Sequence, residues 1–199
     1  MHYPDDNSLI KALKSRDDEA FRVFVDRYRD SVTRVAIGFT GNRDDAEDVA
    51  QDVFLEVYRS IDKFRQRAAL STWLYRIAVN RSLNFIRRAS RKRVVPFTGQ
   101  YGDGNDRFEQ QDPAGNPNSS DSPEEEMGRA EMAAALDSAL AMLPDNQRTA
   151  FVLHRYEDLS YKEIAVIMKR SVGSVESLIF RARQGLQKSL YKFYRENIG

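Results

Sequence analysis

Cysteine is absent from the 199 residues. That excludes disulfides, a cysteine-based zinc site and direct thiol redox sensing. Histidine is scarce, with His2 and His154 the whole supply. Neither stands in a Glu-x-x-His pattern, so histidine-based metal binding has little to draw on. No run approaches the roughly 18 uninterrupted apolar residues of a membrane-spanning helix. The opening MHYPDDNSLIKAL has no apolar core of signal-peptide length. The expectation is a cytoplasmic chain with no membrane insertion. No glycine-rich phosphate loop, Ser/His/Asp set or histidine base is recognisable. Paired-carboxylate catalysis has no positive support. No cofactor, no metal and no enzymatic activity are therefore expected. Net charge is only +1, so the overall figure points to no partner.

What is present is helical periodicity. Asp6-Asn7 can open a helix holding Leu9, Ile10 and Leu13. Asp17 or Asp18 can open a second, with Phe21, Phe24, Val25, Tyr28, Val32, Val35 and Ala36 on one face, closed by Gly41-Asn42. A third runs from about Arg43 to Ile61. After a break, Asp62–Leu70, Ser71 can cap a fourth that continues to about Lys92. No stretch alternates with period two, so strands are not expected. From Pro96 to Ser122, Pro, Gly, Asn, Asp and Ser dominate. Such a stretch buries too little apolar surface to offset its ordering entropy. Ser122-Pro123-Glu124-Glu125 then reads as a helix start, with a cap, Pro at the first position and acids at the positive end of the dipole. Pro144-Asp145 opens another helix. The expected fold is all-α. Two small helical domains, 1–95 and 123–199, are joined by a flexible acidic linker, 96–122.

The last part of the second domain, LSYKEIAVIMKRSVGSVESLIFRARQGLQ, reads as a helix-turn-helix. Ser160 and Glu163 form a capping-box pattern. Ser171 can cap a second helix carrying Val172, Val175, Ile179, Ala182 and Leu186 at three- and four-residue steps. Ala165 is small where two helices must approach closely. Ser174, Ser177 and Arg181 lie on the other face, where hydroxyls and guanidinium groups can reach a major groove. An ordinary helical hairpin would show much of the same pattern.

Charge is segregated along the chain. Asp44–Asp62 holds seven acids against one base, Arg59. Lys63–Gly102 holds ten bases and no acid. Asp103–Glu126 holds eight acids against Arg107. A long basic stretch without an acid predicts a polyanion partner. Tyr58, Phe64, Trp73, Tyr75 and Phe85 lie in and beside it, and bases with aromatics suit single-stranded nucleic acid. Trp73 and Phe85 read as core. Phe64, in the break between helices, reads as a nucleic-acid contact. Asp44, Asp48, Asp52 and Glu56 follow i,i+4 spacing and form one acidic stripe. A carboxylate metal site or a merely solvated stripe would fit that spacing. A docking face for a basic protein fits best.

Three segments together resemble a bacterial RNA polymerase sigma factor of the extracytoplasmic-function (ECF) group of the sigma-70 family. They are DDAEDVAQDVFLEVYRSIDKF, STWLYRIAVNRSLNFIRR and LPDNQRTAFVLHRYEDLSYKEIAVIMKRSVGSVESLIFRARQGL. The likeness covers about Leu9–Val95 and Glu124–Leu190. It implies region 2 in the first domain and region 4 in the second. It implies that Asp48, Gln51, Asp52 and Glu56 dock on core RNA polymerase. It implies that the loop Asp62–Leu70 and the fourth helix open and read the promoter −10 element. Lys63, Phe64 and Arg65 would line a pocket for a flipped base, Asn80 and Asn84 would make amide contacts, and Arg76, Arg81, Arg87 and Arg88 would hold phosphates. By position in the motif, Tyr161, Ser174, Ser177, Phe180, Arg181 and Arg183 would read the −35 duplex. An anti-sigma factor is the further implied partner. The chain departs from a common family pattern at Glu176 and Leu178, where many relatives carry arginine. Glu176 then either accepts from a cytosine amino group or is solvated. A stand-alone helix-turn-helix regulator is the alternative function. A helical carboxylate enzyme is a third, and it would require bound metal.

Overall fold

A computed structural model of the chain describes Tyr3, residues 5–94 and residues 123–197. The expected linker, 96–122, lies outside the described residues. Eight helices follow in order: α1 (Asp6–Lys14), α2 (Asp18–Thr40), α3 (Arg43–Ser60), α4 (Leu70–Val94), α5 (Pro123–Ala141), α6 (Asp145–Glu157), α7 (Tyr161–Met168) and α8 (Val172–Asn197). A single 3-10 turn, Ile61–Lys63, follows α3. Among the described residues every regular element is helical, so the fold is all-α.

Local chemistry explains most boundaries. Asp17 caps α2 by accepting from the Glu19 and Ala20 amides. Gly41 ends it in the left-handed region at φ 74°, with its amide donating to Ile37 O. Glycine adopts that conformation without the Cβ penalty. Asn42 caps α3 at once, accepting from Asp45 N. Two expected boundaries differ slightly. Asp5, rather than Asp6, caps α1 by accepting from Ser8 N. α4 begins at Leu70, so Ser71 lies inside its first turn and does not cap it. Ser160 and Glu163 satisfy each other's backbone amides in a full capping box at α7. Ser160→Ala is expected to cost about 1 kcal/mol. A drop of a few degrees in the thermal midpoint, concentrated in the hydrogen exchange of α7, would show it.

α2, α3 and α4 pack mutually around Phe24, Val32, Val35, Phe39, Val53, Val57, Leu74 and Ala78, all buried. α6, α7 and α8 form a second group. Their inner residues Ala150, Val152, Leu153, Ile164, Ala165, Val175 and Ile179 belong to the same apolar cluster as the first group. A smaller cluster joins Leu140 and Leu143, at the end of α5 and just beyond it, to Ala182 and Leu186 of α8. The two halves therefore share one continuous apolar cluster.

Candidate DNA and protein interfaces

The acidic face is built by α3. Its inner side holds Ala46, Val49, Ala50, Val53, Phe54 and Val57. That register leaves Asp44, Asp48, Gln51 and Asp52 exposed on the opposite side. Leu55 lies among them at 50% exposure. It had not been picked out from the sequence, although an apolar residue three positions after Asp52 is a signal. Glu56, the last acid of the stripe, is different. It is half-buried and pairs with Arg81 of α4 at 2.5 Å. One candidate polymerase contact thus holds one candidate DNA contact. Among the described residues no three carboxylates or histidines converge as a metal site would need.

The basic face is built by the loop after α3 and by α4. Lys63, Arg65 and Arg67 are exposed on the loop. Phe64 is not: it is 5% exposed. Its ring packs on Trp73 with centroids 5.0 Å apart. Lys14 of α1 donates to its carbonyl at 2.8 Å. The 3-10 turn aims this side chain inward, so Phe64 is a core wedge beneath the loop rather than a free stacking ring. Trp73 and Phe85 are partly buried against the core, where their apolar helix face placed them. Tyr75 is buried, and its hydroxyl donates to Glu157 at 2.8 Å. Burial, with the Glu157 hydrogen bond second, pushes the phenol well above its usual pKa, so it stays protonated and donating. Asn80, Asn84, Arg87 and Arg88 are exposed along α4.

Three of the arginines on α4 already have protein acceptors. Arg81 has Glu56. Arg76 donates to Ile167 O at 3.0 Å and to Val166 O at 2.5 Å, at the last turn of α7. Arg87 pairs with Asp145, at the first turn of α6, at 2.6 Å. Arg88 is exposed and has no described ion pair. Spacing in the sequence reveals none of these pairings, because the acceptors stand on other helices.

The helix-turn-helix is formed by α7, a turn with Lys169 in the left-handed region, and α8. Ser171 Oγ accepts from Ser174 N at 3.2 Å, so Ser171 does cap α8. Val175, Ile179, Ala182 and Leu186 face inward. Glu176, Ser177, Phe180, Arg181 and Arg183 are exposed, and Ser174 is half-exposed. Phe180, at 61%, is a large exposed apolar group of α8. The Ser177 hydroxyl donates back to Gly173 O at 2.9 Å. Tyr161 is half-buried, edge-on to His154 with centroids 5.2 Å apart. The α8 residues lie along the solvent-exposed half of that helix, and Tyr161 stands at the first position of α7.

No helix of the described residues is long and apolar enough to cross a membrane. The family model for Sigma-70 region 2 matches residues 24–92, which span α2 from Phe24, α3, the loop and most of α4. The model for Sigma-70, region 4 matches residues 133–186, from within α5 to within α8. The chain is 35% identical over 195 residues to the RNA polymerase sigma-H factor of Pseudomonas aeruginosa, covering 96% of both. It is 33% identical over 190 residues to the ECF RNA polymerase sigma-E factor of Escherichia coli K12, again covering 96% of both. Its fold is similar to that of CnrH, solved in complex with the cytosolic domain of CnrY. The TM-score is 0.64 at 25% identity, covering 94% of this chain and 97% of that one.

Proposed function

The chain belongs to the ECF group of the sigma-70 family, and from that premise we propose which of its surfaces does which part of the work. As a sigma factor it binds core RNA polymerase and promoter DNA and directs the polymerase to specific promoters. It is an initiation factor with no enzymatic activity. The exposed row Asp48, Gln51, Asp52 on α3, with Glu56 at its end, docks on the polymerase, and Leu55 supplies an apolar contact at its centre. The loop bases Lys63 and Arg65 and the α4 side chains Arg76, Asn80, Arg81, Asn84, Arg87 and Arg88 hold the melted −10 strand. Phe64 supports that loop from below. Ser174, Ser177, Phe180, Arg181 and Arg183 of α8, with Tyr161, read the −35 duplex. Residues 1–95 and 123–199 are the two working units, and 96–122 is an acidic linker between them. The place of work is the cytoplasm, with the polymerase. CnrH is held by a protein partner, and an anti-sigma factor is the corresponding expected partner here.

The observation that carries this reading is the division of one helical bundle into two faces of opposite sign. α3 presents carboxylates outward, while α4 and its preceding loop present bases. A stand-alone DNA-binding regulator has no use for the first face. Run-off transcription with core polymerase across genomic fragments tests the assignment. Discrete products sharing two upstream elements are expected. Sequence-specific binding to duplex DNA without any polymerase-dependent product would sink it.

A further inference from the structure

α1 lies ahead of the span matched by the region 2 family model, which begins at Phe24, and none of the contacts assigned above stands on it. Its apolar side is buried through Leu9, Ile10 and Leu13. The way it ends is unusual. Asp17 N donates to Ala12 O and Arg16 N to Leu13 O, both at 3.1 Å. This is the Schellman ending of a helix, and Arg16 holds its left-handed position at φ 59°. Glycine is the usual residue there, because a Cβ is strained in that region. An arginine kept in such a conformation points to a use for its side chain.

The Arg16 guanidinium donates to Tyr58 O in the last turn of α3 and pairs with Asp62 in the 3-10 turn. It also stands over the Tyr58 ring, 4.9 Å from the centroid. Lys14 Nζ donates to Phe64 O at 2.8 Å. Gln66, itself left-handed at φ 52°, donates from its side-chain amide to Asn7 Oδ1 at 3.3 Å. Asn7, Lys14 and Arg16, all on α1 or just past it, thus hold the chain at positions 58, 62, 64 and 66. Positions 62, 64 and 66 alternate with Lys63 and Arg65, the loop bases proposed to meet the −10 strand. Taken singly, an exposed ion pair adds little stability. Taken together these contacts fix where the loop stands, and a site that must accept one particular base depends on such placement.

We infer that α1 braces the −10 loop and that Arg16 is the main positioning residue of the brace, setting the loop so that Lys63 and Arg65 meet the melted strand already in place. The inference rests on the assignment of that loop to the −10 strand. Arg16 itself touches neither DNA nor polymerase. It acts through Tyr58, Asp62 and the turn between them. Glycine at position 16 therefore separates stability from function. It relieves the left-handed backbone, which offsets the loss of the exposed contacts, and it removes the brace.

The test uses the full chain with core polymerase on a promoter found by run-off transcription. Arg16→Gly is expected to keep the thermal midpoint and polymerase binding, yet to slow open-complex formation about tenfold. Its preference for the matched −10 base over the other bases is expected to fall several-fold. The chain has no native cysteine, so a spin label on Arg67→Cys, exposed in the loop, reports loop order. The label is expected to become more mobile in Arg16→Gly. Arg16→Lys keeps a charge facing Asp62 but lacks the fork that serves Tyr58 O as well, and is expected to fall between the two. An unmoved label with an unchanged rate in Arg16→Gly overturns the brace. A more mobile label with an unchanged rate overturns its role in melting. A rate that falls only in step with the midpoint makes Arg16 an ordinary structural residue, and overturns the inference equally. Lys63→Ala with Arg65→Ala separates the premise from the brace. Slow open-complex formation is expected there, and beside it a normal Arg16→Gly sinks the brace alone. An unimpaired double variant shows instead that the loop assignment is wrong, and the brace loses its function with it.

Discussion

Replacing Asp48 and Asp52 together by lysine is expected to weaken binding to core RNA polymerase by about two orders of magnitude, while the free chain becomes slightly more stable. Both carboxylates are exposed on α3, and neither takes part in an ion pair among the described residues. The stripe Asp44, Asp48, Asp52, Glu56 places like charges four residues apart, an arrangement that costs a helix a few tenths of a kcal/mol per pair. Two lysines in the middle turn the two outer repulsions into attractions and leave the middle pair like-charged, so the thermal midpoint is expected to hold or rise. At a basic docking surface the same change turns two attractions into repulsions. At about 1.4 kcal/mol per factor of ten, two such reversals give roughly a hundredfold loss. The matched control is Asp26→Lys with Asp30→Lys, an exposed pair with the same spacing on α2. If the control weakens polymerase binding as much, net charge rather than the α3 face is responsible. If the α3 double variant binds normally, the docking face lies elsewhere.

The opposite movement of stability and binding is what a functional stripe should show. A helix selected for stability alone would place bases at some of these positions. Acids kept in register against their own repulsion have a reason outside the folded monomer. The stripe ends in Glu56, and its pairing with Arg81 joins the acidic and basic faces within one ion pair.

What could be read from the sequence is what is written locally. Helix spans follow from apolar periodicity, and Asp17, Ser160 and Ser171 cap where their side chains allowed. The outward register of Asp48 and Asp52 follows from the inward register of Val49, Val53 and Val57. The packing of α2 against α6 could not be read this way. Arg148 stands in LPDNQRTAF, where it passes for a solvent-facing helix residue, yet its acceptors are about 110 positions earlier. Gly38, between Ile37 and Phe39, gives no sign that Val152 will press against it. The burial of Phe64 could not be read for a different reason. A three-residue 3-10 turn has too few positions to show a period, so its side chains could not be assigned to a face.

Phe64→Ala is expected to cost about 3 kcal/mol, the usual order for emptying a buried phenylalanine site. For a chain of this size that is a fall of roughly 6–12 °C in thermal midpoint. Trp73, the single tryptophan, lies against the Phe64 ring and reports the vacancy directly. Its emission is expected to shift to the red as water reaches the indole. Phe64→Leu fills most of the space and is expected to keep most of the midpoint and of the emission. The loop above carries Lys63 and Arg65, and the Phe64 carbonyl is its anchor to Lys14. Losing the wedge therefore loosens both bases, and open-complex formation is expected to fall in step with the loss of loop order, with Phe64→Leu intermediate in both. A direct role in stacking on DNA makes the contrary demand. Leucine would then fail as badly as alanine in open-complex formation while keeping the midpoint, because an aliphatic side chain fills a core and cannot replace an aromatic face for a base.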